Sequence, residues 1–292
     1  MFAIMGATGK IGRASVRALR KRGVPVRALV RDPATAGELR GWGSEVVACN
    51  LRDVAQVRAA VAGAGTVQVI CPVTPRDDDA AVEMRRTIDG IAKALEAAPP
   101  PAVLAISDYG AERPSGTGVT LTFHHLETRL GRLPSAVTFV RSAEHMENWG
   151  RFLGTAADTG VLPSLHHPLT KRFPTVAAAD VGAVAADLIL SPTGVTPRIV
   201  HVEGPHRYTP LEVAATLADL LGREVVAEEL PRTTWIPALV AGGLSPSYAE
   251  LVAALFDAHN DGHIDAEPGA GEIRRGSTEL REVFAALLGR TS

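Results

Sequence analysis

The chain has 292 residues, of which 46% are hydrophobic and 21% are charged, and its formal net charge at pH 7 is −2. This composition is typical of a folded globular protein and excludes an intrinsically disordered chain. The nearly balanced charge argues against direct binding to nucleic acid or to an anionic membrane surface. Because no apolar run reaches transmembrane length and no signal peptide precedes the first predicted strand, we expect a cytoplasmic protein without a membrane partner.

In the first half of the chain, short apolar runs alternate with segments of helical periodicity. The predicted strands are, in chain order, FAIM, VPVRALV, SEVVAC, TVQVIC, AVLAIS and AVTFVRS. Strands that alternate with helices need crossover connections, which give a parallel sheet covered on both faces. We therefore predict an α/β fold with a doubly wound, mostly parallel sheet of the Rossmann type, formed by residues 1–142.

After residue 142 the alternation loosens, and residues 143–292 are predicted to form a smaller α+β substrate region. VLPSLHHPLTKRFPTV reads as a loop, RIVHVEG and EVVAEEL as strands, and the end of the chain as three helices. Some of these segments are expected to return to the main sheet. His166 and His167 lie in the predicted loop without a carboxylate or cysteine at metal-ligand spacing, so we interpret them as exposed and predict no metal site.

Three glycines follow the first predicted strand at the spacing G-x-x-G-x-x-G and open the first predicted helix. In a doubly wound sheet such a turn lets the backbone approach a pyrophosphate and lets helix and strand pack closely, while the helix N-terminus favours negative charge. A plain glycine-rich turn is the structural alternative, but the strand before and the helix after it favour a dinucleotide site. The predicted binding residues of this turn are Gly6, Thr8, Gly9, Lys10, Ile11 and Gly12.

The residues after the second predicted strand distinguish NAD from NADP. An acidic residue about 20 positions beyond the glycines bonds the ribose hydroxyl of NAD, whereas the first polar residue here is Arg31. A guanidinium group matches a phosphate, so NADP(H) is the predicted cofactor, and Asp32 leaves NAD as the less favoured alternative. Further cofactor contacts are predicted from residues that follow the next strands: Asn50, Leu51, Pro72, Val73 and Ser107.

Five segments resemble the NmrA-like family of atypical short-chain dehydrogenases: GATGKIG, VRALVRDP, SDYGA, VRSAEHMENWG and RFPTVAAADVGAVAADLIL. The resemblance spans nearly the whole chain and implies an NAD(P)-binding Rossmann domain followed by an extended C-terminal substrate region. It also implies one of two functions. One is the NAD(P)H-dependent reduction of quinones, dyes or unsaturated aromatic substrates, and the other is NADP binding without turnover by a redox sensor that regulates partner proteins.

Standard short-chain dehydrogenases carry a tyrosine and a lysine four residues apart on one helix, and this pair is absent. Tyr109 is followed at that spacing by Arg113, in a predicted loop. Related reductases carry a lysine on the next helix, where this chain has His124 and His125, which either donate a proton near neutral pH or simply cover the helix surface. Ser107 and Tyr109 follow the fifth strand, at the edge where ligands bind in open α/β sheets. The catalytic candidates are therefore Ser107, Tyr109, His124 and His125.

The segment EHMENWG, after the sixth predicted strand, is the predicted wall of a substrate pocket with polar and apolar groups. Because helical spacing directs its side chains to different sides, part of this segment must serve packing only. The candidate substrate-binding residues are Tyr109, Glu144, Met146, Asn148 and Trp149.

These observations predict an NADPH-dependent oxidoreductase that transfers hydride to a small conjugated carbonyl, such as a quinone or an enone. Because a quinone ring accepts hydride readily, positioning can supply much of the rate without a Tyr/Lys pair. The alternative is a non-catalytic NADP(H)-binding redox sensor that acts through a protein partner. The oligomeric state is open, with a homodimer as one option.

Overall fold

The computed structural model describes residues 1–71 and 73–289. Its strands are β1 (Phe2–Ile4), β2 (Val26–Val30), β3 (Glu45–Ala48), β4 (Thr66–Ile70), β5 (Ala102–Asp108), β6 (Ala136–Ser142), β7 (Glu144–His145), β8 (Val161–Ser164), β9 (Thr175–Val176), β10 (Arg198–Glu203), β11 (Val226–Glu229) and β12 (Glu272–Arg275). Its helices are α1 (Lys10–Lys21), α2 (Gly37–Gly41), α3 (Val54–Val61), α4 (Ala80–Ala97), α5 (Thr120–Leu130), α6 (Gly150–Thr159), α7 (Ala178–Leu190), α8 (Pro210–Leu221), α9 (Trp235–Ala241), α10 (Pro246–Asn260) and α11 (Leu280–Leu288).

Within the described part of the chain, eight strands form one sheet in the order β12-β10-β6-β5-β4-β1-β2-β3, and every pair of neighbours is parallel. The strand order reverses between β1 and β4, which is the point where open α/β sheets leave a crevice for ligands. The predicted doubly wound parallel sheet is therefore confirmed.

Both faces of the sheet are buried, as the continuous apolar runs of the strands predict. Along β5, Leu104 and Ile106 pack toward α1 and α7, whereas Val103 and Ala105 pack toward α3, α4 and α5. Because successive side chains of a strand point to opposite faces, the last residues of β5 also divide between the two layers.

Helix α7 returns from the C-terminal half and crosses α1 at very short range. A Cβ atom added to Gly182 would lie 2.4 Å from the carbonyl oxygen of Ile11 and 2.6 Å from Cβ of Ala14. The hydroxyl of Ser15 donates to the Gly182 carbonyl at 3.1 Å. This contact fixes α1, and with it the glycine-rich turn, against the C-terminal half of the chain.

The C-terminal half departs from the sequence-based prediction in two places. The predicted loop over residues 161–176 contains β8 and β9, which pair with β11 and β7 in two small parallel sheets. The strand β12 extends the main sheet beside β10, although an exposed, charged sequence (EIRR) gave no strand signal. In short strands the pairing depends on neighbours that are distant in sequence, so none of these three strands has a local pattern that predicts it.

The boundary at residue 142 stays a prediction. Strands β10 and β12 belong to the main sheet, whereas α6, α8 and α11 enclose a separate apolar cluster, and α9 and α10 enclose another. No helix in the described residues is long and apolar enough to span a membrane.

Candidate functional site

The glycine-rich turn between β1 and α1 has the geometry that a close phosphate contact requires. Gly6 has φ +60°, in the left-handed region that favours glycine, and accepts a hydrogen bond from the Gly9 N–H at 2.9 Å. A Cβ atom on Gly12 would lie 2.3 Å from the Gly6 carbonyl oxygen. Gly9 is the N-cap of α1 and brings no side chain to the first turn, so the N-terminal amides stay open to an anion.

The end of β2 places Arg31 and Asp32 in different roles. Arg31 is exposed and makes no hydrogen bond or ion pair within the described residues. The Asp32 carboxylate accepts the Ala34 N–H at 2.9 Å and caps a short 3₁₀ turn. Asp32 is thus engaged by its own loop, while the Arg31 guanidinium is available to a ligand phosphate.

Two of the predicted cofactor contacts, Asn50 and Leu51, lie after β3. Asn50 is exposed, but its side-chain oxygen accepts the Arg52 N–H at 3.1 Å and forms a local turn. Leu51 is half-buried beside it. Thr8 and Lys10 are exposed at the glycine-rich turn, and Ile11 is buried at the start of α1.

A cavity of about 410 Å³ opens at the carboxyl ends of β4, β5 and β6. Ile11 forms part of its wall, so the cavity continues directly from the glycine-rich turn. The opposite wall comes from α10. The lining includes Ile70, Val73, Ile106, Ser107, Asp108 and Glu144.

Two of the predicted cofactor contacts, Val73 and Ser107, line this cavity. Val73, 46% exposed, lies at the rim, and Ser107 lies at the floor with its hydroxyl donating to Glu127 Oε1 at 2.6 Å. Pro72 lies outside the described residues.

Asp108 is an acidic group of this cavity that the sequence analysis did not select. It accepts a hydrogen bond from Thr120 Oγ1 at 2.6 Å and makes no ion pair among the described residues. Burial, reinforced by repulsion from Glu144 and Glu112, raises the pKa of Asp108 to about 7, although the Thr120 hydrogen bond works against the rise.

Glu144 lines the same cavity, but its pKa is shifted in the opposite direction, toward the ionised form. Burial alone would raise its pKa, yet the charge and hydrogen bond of His166 outweigh burial and lower the pKa of Glu144 to about 2. The two side chains meet at 2.6 Å between Oε2 and Nε2. The cavity therefore carries one ionised carboxylate with a partner and one carboxyl group without a cation.

The interpretation of His166 as exposed is wrong. Its side chain is 2% exposed and is enclosed by Phe173, Phe256 and His259 in addition to Glu144. Burial, the main cause, and the nearby His166 lower the pKa of His259 to about 3. Among residues 1–71 and 73–289, no group of three or more His, Cys, Asp or Glu side chains could hold a metal ion.

Tyr109 does not line the cavity. Its side chain is fully buried, and its hydroxyl donates to Glu203 Oε1 at 3.1 Å. Glu203 is in turn held by Arg207 and Arg275. Burial, together with the negative charge of Glu203, raises the pKa of Tyr109 far above its ordinary value. The structure thus gives this catalytic and substrate-binding candidate a role in packing.

The two candidate histidines of α5 are also engaged outside the cavity. His124 Nδ1 lies 2.8 Å from the Ala111 carbonyl, and His125 Nε2 lies 2.9 Å from Asp89 Oδ1. The residues of this region that line the cavity are Val119 and Phe123. Phe123 directly precedes His124, so the two histidines lie on other faces of α5 than the one that lines the cavity.

The segment after β6 contributes to the cavity in part. Glu144 and Asn148 line it, whereas Met146 is fully buried in the cluster with α6, α8 and α11. Trp149 is 8% exposed and packs in the same cluster, with its ring 5.8 Å from that of His166. Met146 and Trp149 are thus the side chains of this segment that pack in the interior.

Sequence reasoning missed Asp108, Arg151 and Tyr248 as lining residues. A signal for Asp108 was present, because it directly follows Ser107 at the ligand-binding edge. Tyr248 lies on α10, in a part of the chain without a recognisable motif. Burial, the main cause, and the negative charge of Asp108 raise the pKa of Tyr248.

Comparison with known proteins agrees with this geometry. Residues 6–132 match the family model described as NAD(P)H-binding, which confirms the prediction of a nicotinamide dinucleotide cofactor. The chain is 28% identical to the NAD(P)H azoreductase of Xenophilus azovorans over 99% of both chains. It is 25% identical to quinone oxidoreductase 2 of Escherichia coli K12, over 87% of this chain and 86% of that protein.

Solved structures show the same fold at lower identity. The NADPH-dependent quinone oxidoreductase of Escherichia coli in complex with NADPH has a TM-score of 0.82 and 22% identity, over 99% of this chain and 100% of that chain. The triphenylmethane reductase of Citrobacter sp. has a TM-score of 0.82 and 21% identity, over 99% of both chains. The chain is thus similar to these reductases along its whole length.

Proposed function

We propose that this chain is an NADPH-dependent reductase that transfers hydride to small, electron-poor conjugated acceptors, with quinones as the leading class. The observation that carries the proposal is the cavity at the carboxyl ends of β4, β5 and β6, which adjoins the glycine-rich turn at Ile11. This is the place where a doubly wound sheet presents a nicotinamide ring to a substrate. The similarity to a quinone oxidoreductase, an azoreductase and a dye reductase supports the same class of acceptor.

The residues of the turn fit NADPH better than NADH. The open amides of α1 and the close Gly6–Gly12 approach suit a pyrophosphate. Arg31, which has no partner among residues 1–71 and 73–289, suits the additional phosphate of NADPH. The Asp32 carboxylate already accepts the Ala34 N–H through Oδ1, so fewer of its lone pairs are free for a ribose hydroxyl. When bound, the reduced nicotinamide supplies hydride, and the protein supplies its position and the walls around the acceptor.

The cavity suits a flat apolar acceptor. Its volume of about 410 Å³ lies in the usual range for small-molecule sites. Phe123, Tyr248 and Phe256 supply aromatic surface, and Asn148 and Arg151 supply polar groups that can orient carbonyl or related oxygens. Because a Tyr/Lys pair is absent, the proposed catalysis depends mainly on holding the acceptor against the hydride donor.

The test begins with binding. Calorimetric titration with NADPH and NADH should give tighter binding of NADPH, and Arg31→Ala should weaken NADPH binding by about 10- to 100-fold, because one charge-assisted hydrogen-bonded contact is lost. NADH binding should not change. Arg17→Ala is the matched control, because Arg17 is also an exposed arginine but lies on α1.

Turnover is then measured as NADPH oxidation with a panel of quinones, azo compounds and triarylmethyl dyes. Oxidation that depends on at least one acceptor class supports the reductase. Tight NADPH binding without oxidation by any acceptor would contradict it and favour the redox-sensor alternative. Absence of binding to either dinucleotide would contradict both functions.

A further inference from the structure

Neutral and cationic acceptors differ in what they need besides hydride. A neutral quinone that receives hydride must also receive a proton at oxygen to become a hydroquinone. A triarylmethyl cation is neutralised by hydride alone. An enzyme for neutral acceptors therefore benefits from an acid in its cavity, whereas one for cationic dyes does not.

We propose that Asp108 is this acid and donates the proton that accompanies hydride transfer to a neutral acceptor. The proposal rests on the proposed function and assigns to it a catalytic residue. Asp108 is the last residue of β5, and its side chain lines the cavity between Ser107 and the wall formed by α10. It therefore lies at the edge of the sheet where the acceptor would be held.

The carboxyl group of Asp108 is fixed on one side and available on the other. Thr120 Oγ1 donates to Oδ2 at 2.6 Å, which holds the side chain in one orientation. No side chain among the described residues donates to Oδ1. A carboxyl group held by one oxygen can present its other oxygen, as O–H, to a ligand.

The charges around Asp108 favour the protonated form. Glu144 and Glu112 face it as anions, and Tyr248 shares the cavity wall. Arg151 lines the cavity but makes no ion pair with Asp108. The pKa of about 7 that follows from burial and these neighbours is suited to a general acid at neutral pH.

Other polar groups of the cavity are less suited to this step. Burial lowers the pKa of His145, whose Nε2 lies 3.1 Å from the Ser142 hydroxyl, so its neutral form is favoured. Glu144 is ionised by its contact with His166. The raised pKa of Tyr248 makes it a weaker acid than Asp108.

The proposed step conserves atoms, electrons and charge. Two electrons and one hydrogen reach the acceptor as hydride from the reduced dinucleotide, which is thereby oxidised. The O–H bond of Asp108 breaks, and an O–H bond forms on the acceptor oxygen. Water that enters past the exposed Val73 returns the proton to the carboxylate after product leaves.

The decisive experiment compares one neutral and one cationic acceptor in the same variants. Asp108→Asn keeps the size of the side chain and removes the acid, and Asp78→Asn changes an exposed aspartate as the matched control. With a benzoquinone, Asp108→Asn should lower kcat by about 100-fold and remove the loss of activity as pH rises through 7. With a triarylmethyl cation, kcat should stay within about twofold of the wild type.

A second measurement is independent of activity. Carbon-detected NMR of the carboxyl groups in the cofactor-free protein should show one aspartate that titrates near pH 7 and is absent from Asp108→Asn. Titration of Asp108 below pH 5, or an equal loss of kcat with both acceptors, would overturn its role as the acid. If the wild type oxidises NADPH with neither acceptor, the proposed function fails and this role fails with it.

Discussion

Replacing Tyr109 by phenylalanine tests whether its hydroxyl belongs to the protein's framework or to its chemistry. The hydroxyl donates to Glu203 Oε1 at 3.1 Å, and the ring meets the His201 ring edge-on at 5.2 Å between centroids. Phenylalanine retains the ring contacts and removes only the hydrogen bond. We therefore expect lower stability and unchanged turnover.

The size of the stability loss follows from the neighbours of Glu203. A hydrogen bond to a charged group contributes about 1.5–3 kcal/mol to stability. Glu203 is fully buried but keeps Arg207 at 2.5 Å and Arg275 at 3.0 Å, so its charge stays compensated. We expect a loss near the lower limit, about 1.5 kcal/mol. With an unfolding entropy of about 2.1 cal/mol/K per residue, the melting temperature should fall by about 2–3 °C.

Scanning calorimetry and NADPH oxidation kinetics on the same samples check this prediction. The expected result is the lower melting temperature together with a kcat within a factor of about two of the wild type. Tyr248→Phe is the matched comparison, because it removes a hydroxyl from a side chain that lines the cavity. A fall in kcat of tenfold or more for Tyr109→Phe, without a change in melting temperature, would refute the reasoning.

Three further measurements probe the glycine-rich turn, the buried Glu144–His166 pair and the Asp108 carboxyl group. Gly12→Ala should lower the free energy of unfolding by about 1–3 kcal/mol and weaken NADPH binding, because the new Cβ would lie 2.3 Å from the Gly6 carbonyl oxygen. Urea unfolding measures the first effect and calorimetric titration the second, and unchanged binding would contradict the geometry. Glu144→Ala should cost about 3–5 kcal/mol in urea unfolding because it leaves His166 buried without its partner, and a loss below about 1 kcal/mol would contradict the pairing. The pKa of Asp108 rises on folding from 3.8 to about 7, so its contribution to stability is present below pH 3.8 and is lost as pH rises through 7. Asp108→Asn should therefore reduce the fall in the free energy of unfolding between pH 5 and pH 8. An unchanged fall would count against the raised pKa.

The sheet and the cofactor turn could be predicted because their signals are local. Each of the strands β1 to β6 is a short apolar run, and the connections force a parallel order. The glycine spacing is read directly from the sequence, and the structure supplies its reason in the left-handed Gly6 and the close approach at Gly12. The strand β12 was not predictable in this way, because its pairing partner β10 lies about 70 residues earlier in the chain.

The residues of the cavity were predicted less well, because the direction of each side chain from its strand or helix decides whether it lines the cavity. At the end of β5, Ser107 and Asp108 border the cavity while Tyr109 turns into the core, and the sequence SDYGA contains no signal for that choice. On α5 the predicted histidines occupy other faces than Phe123, which reaches the cavity. The partner of Glu144, His166, is 22 residues away in a segment without a strong pattern.

The two carboxyl groups of the cavity show how long-range pairing decides chemistry that composition cannot. Glu144 and Asp108 line the same cavity, yet the pKa of Glu144 falls to about 2 and that of Asp108 rises to about 7. The difference arises because a histidine from a distant loop reaches Glu144, whereas Asp108 makes no ion pair with a cation among the described residues and is held by the neutral hydroxyl of Thr120. Two acids with diverging pKa values give one site a fixed charge and a transferable proton. Exchanging His166 should remove this division, because burial would then raise the pKa of Glu144 as well.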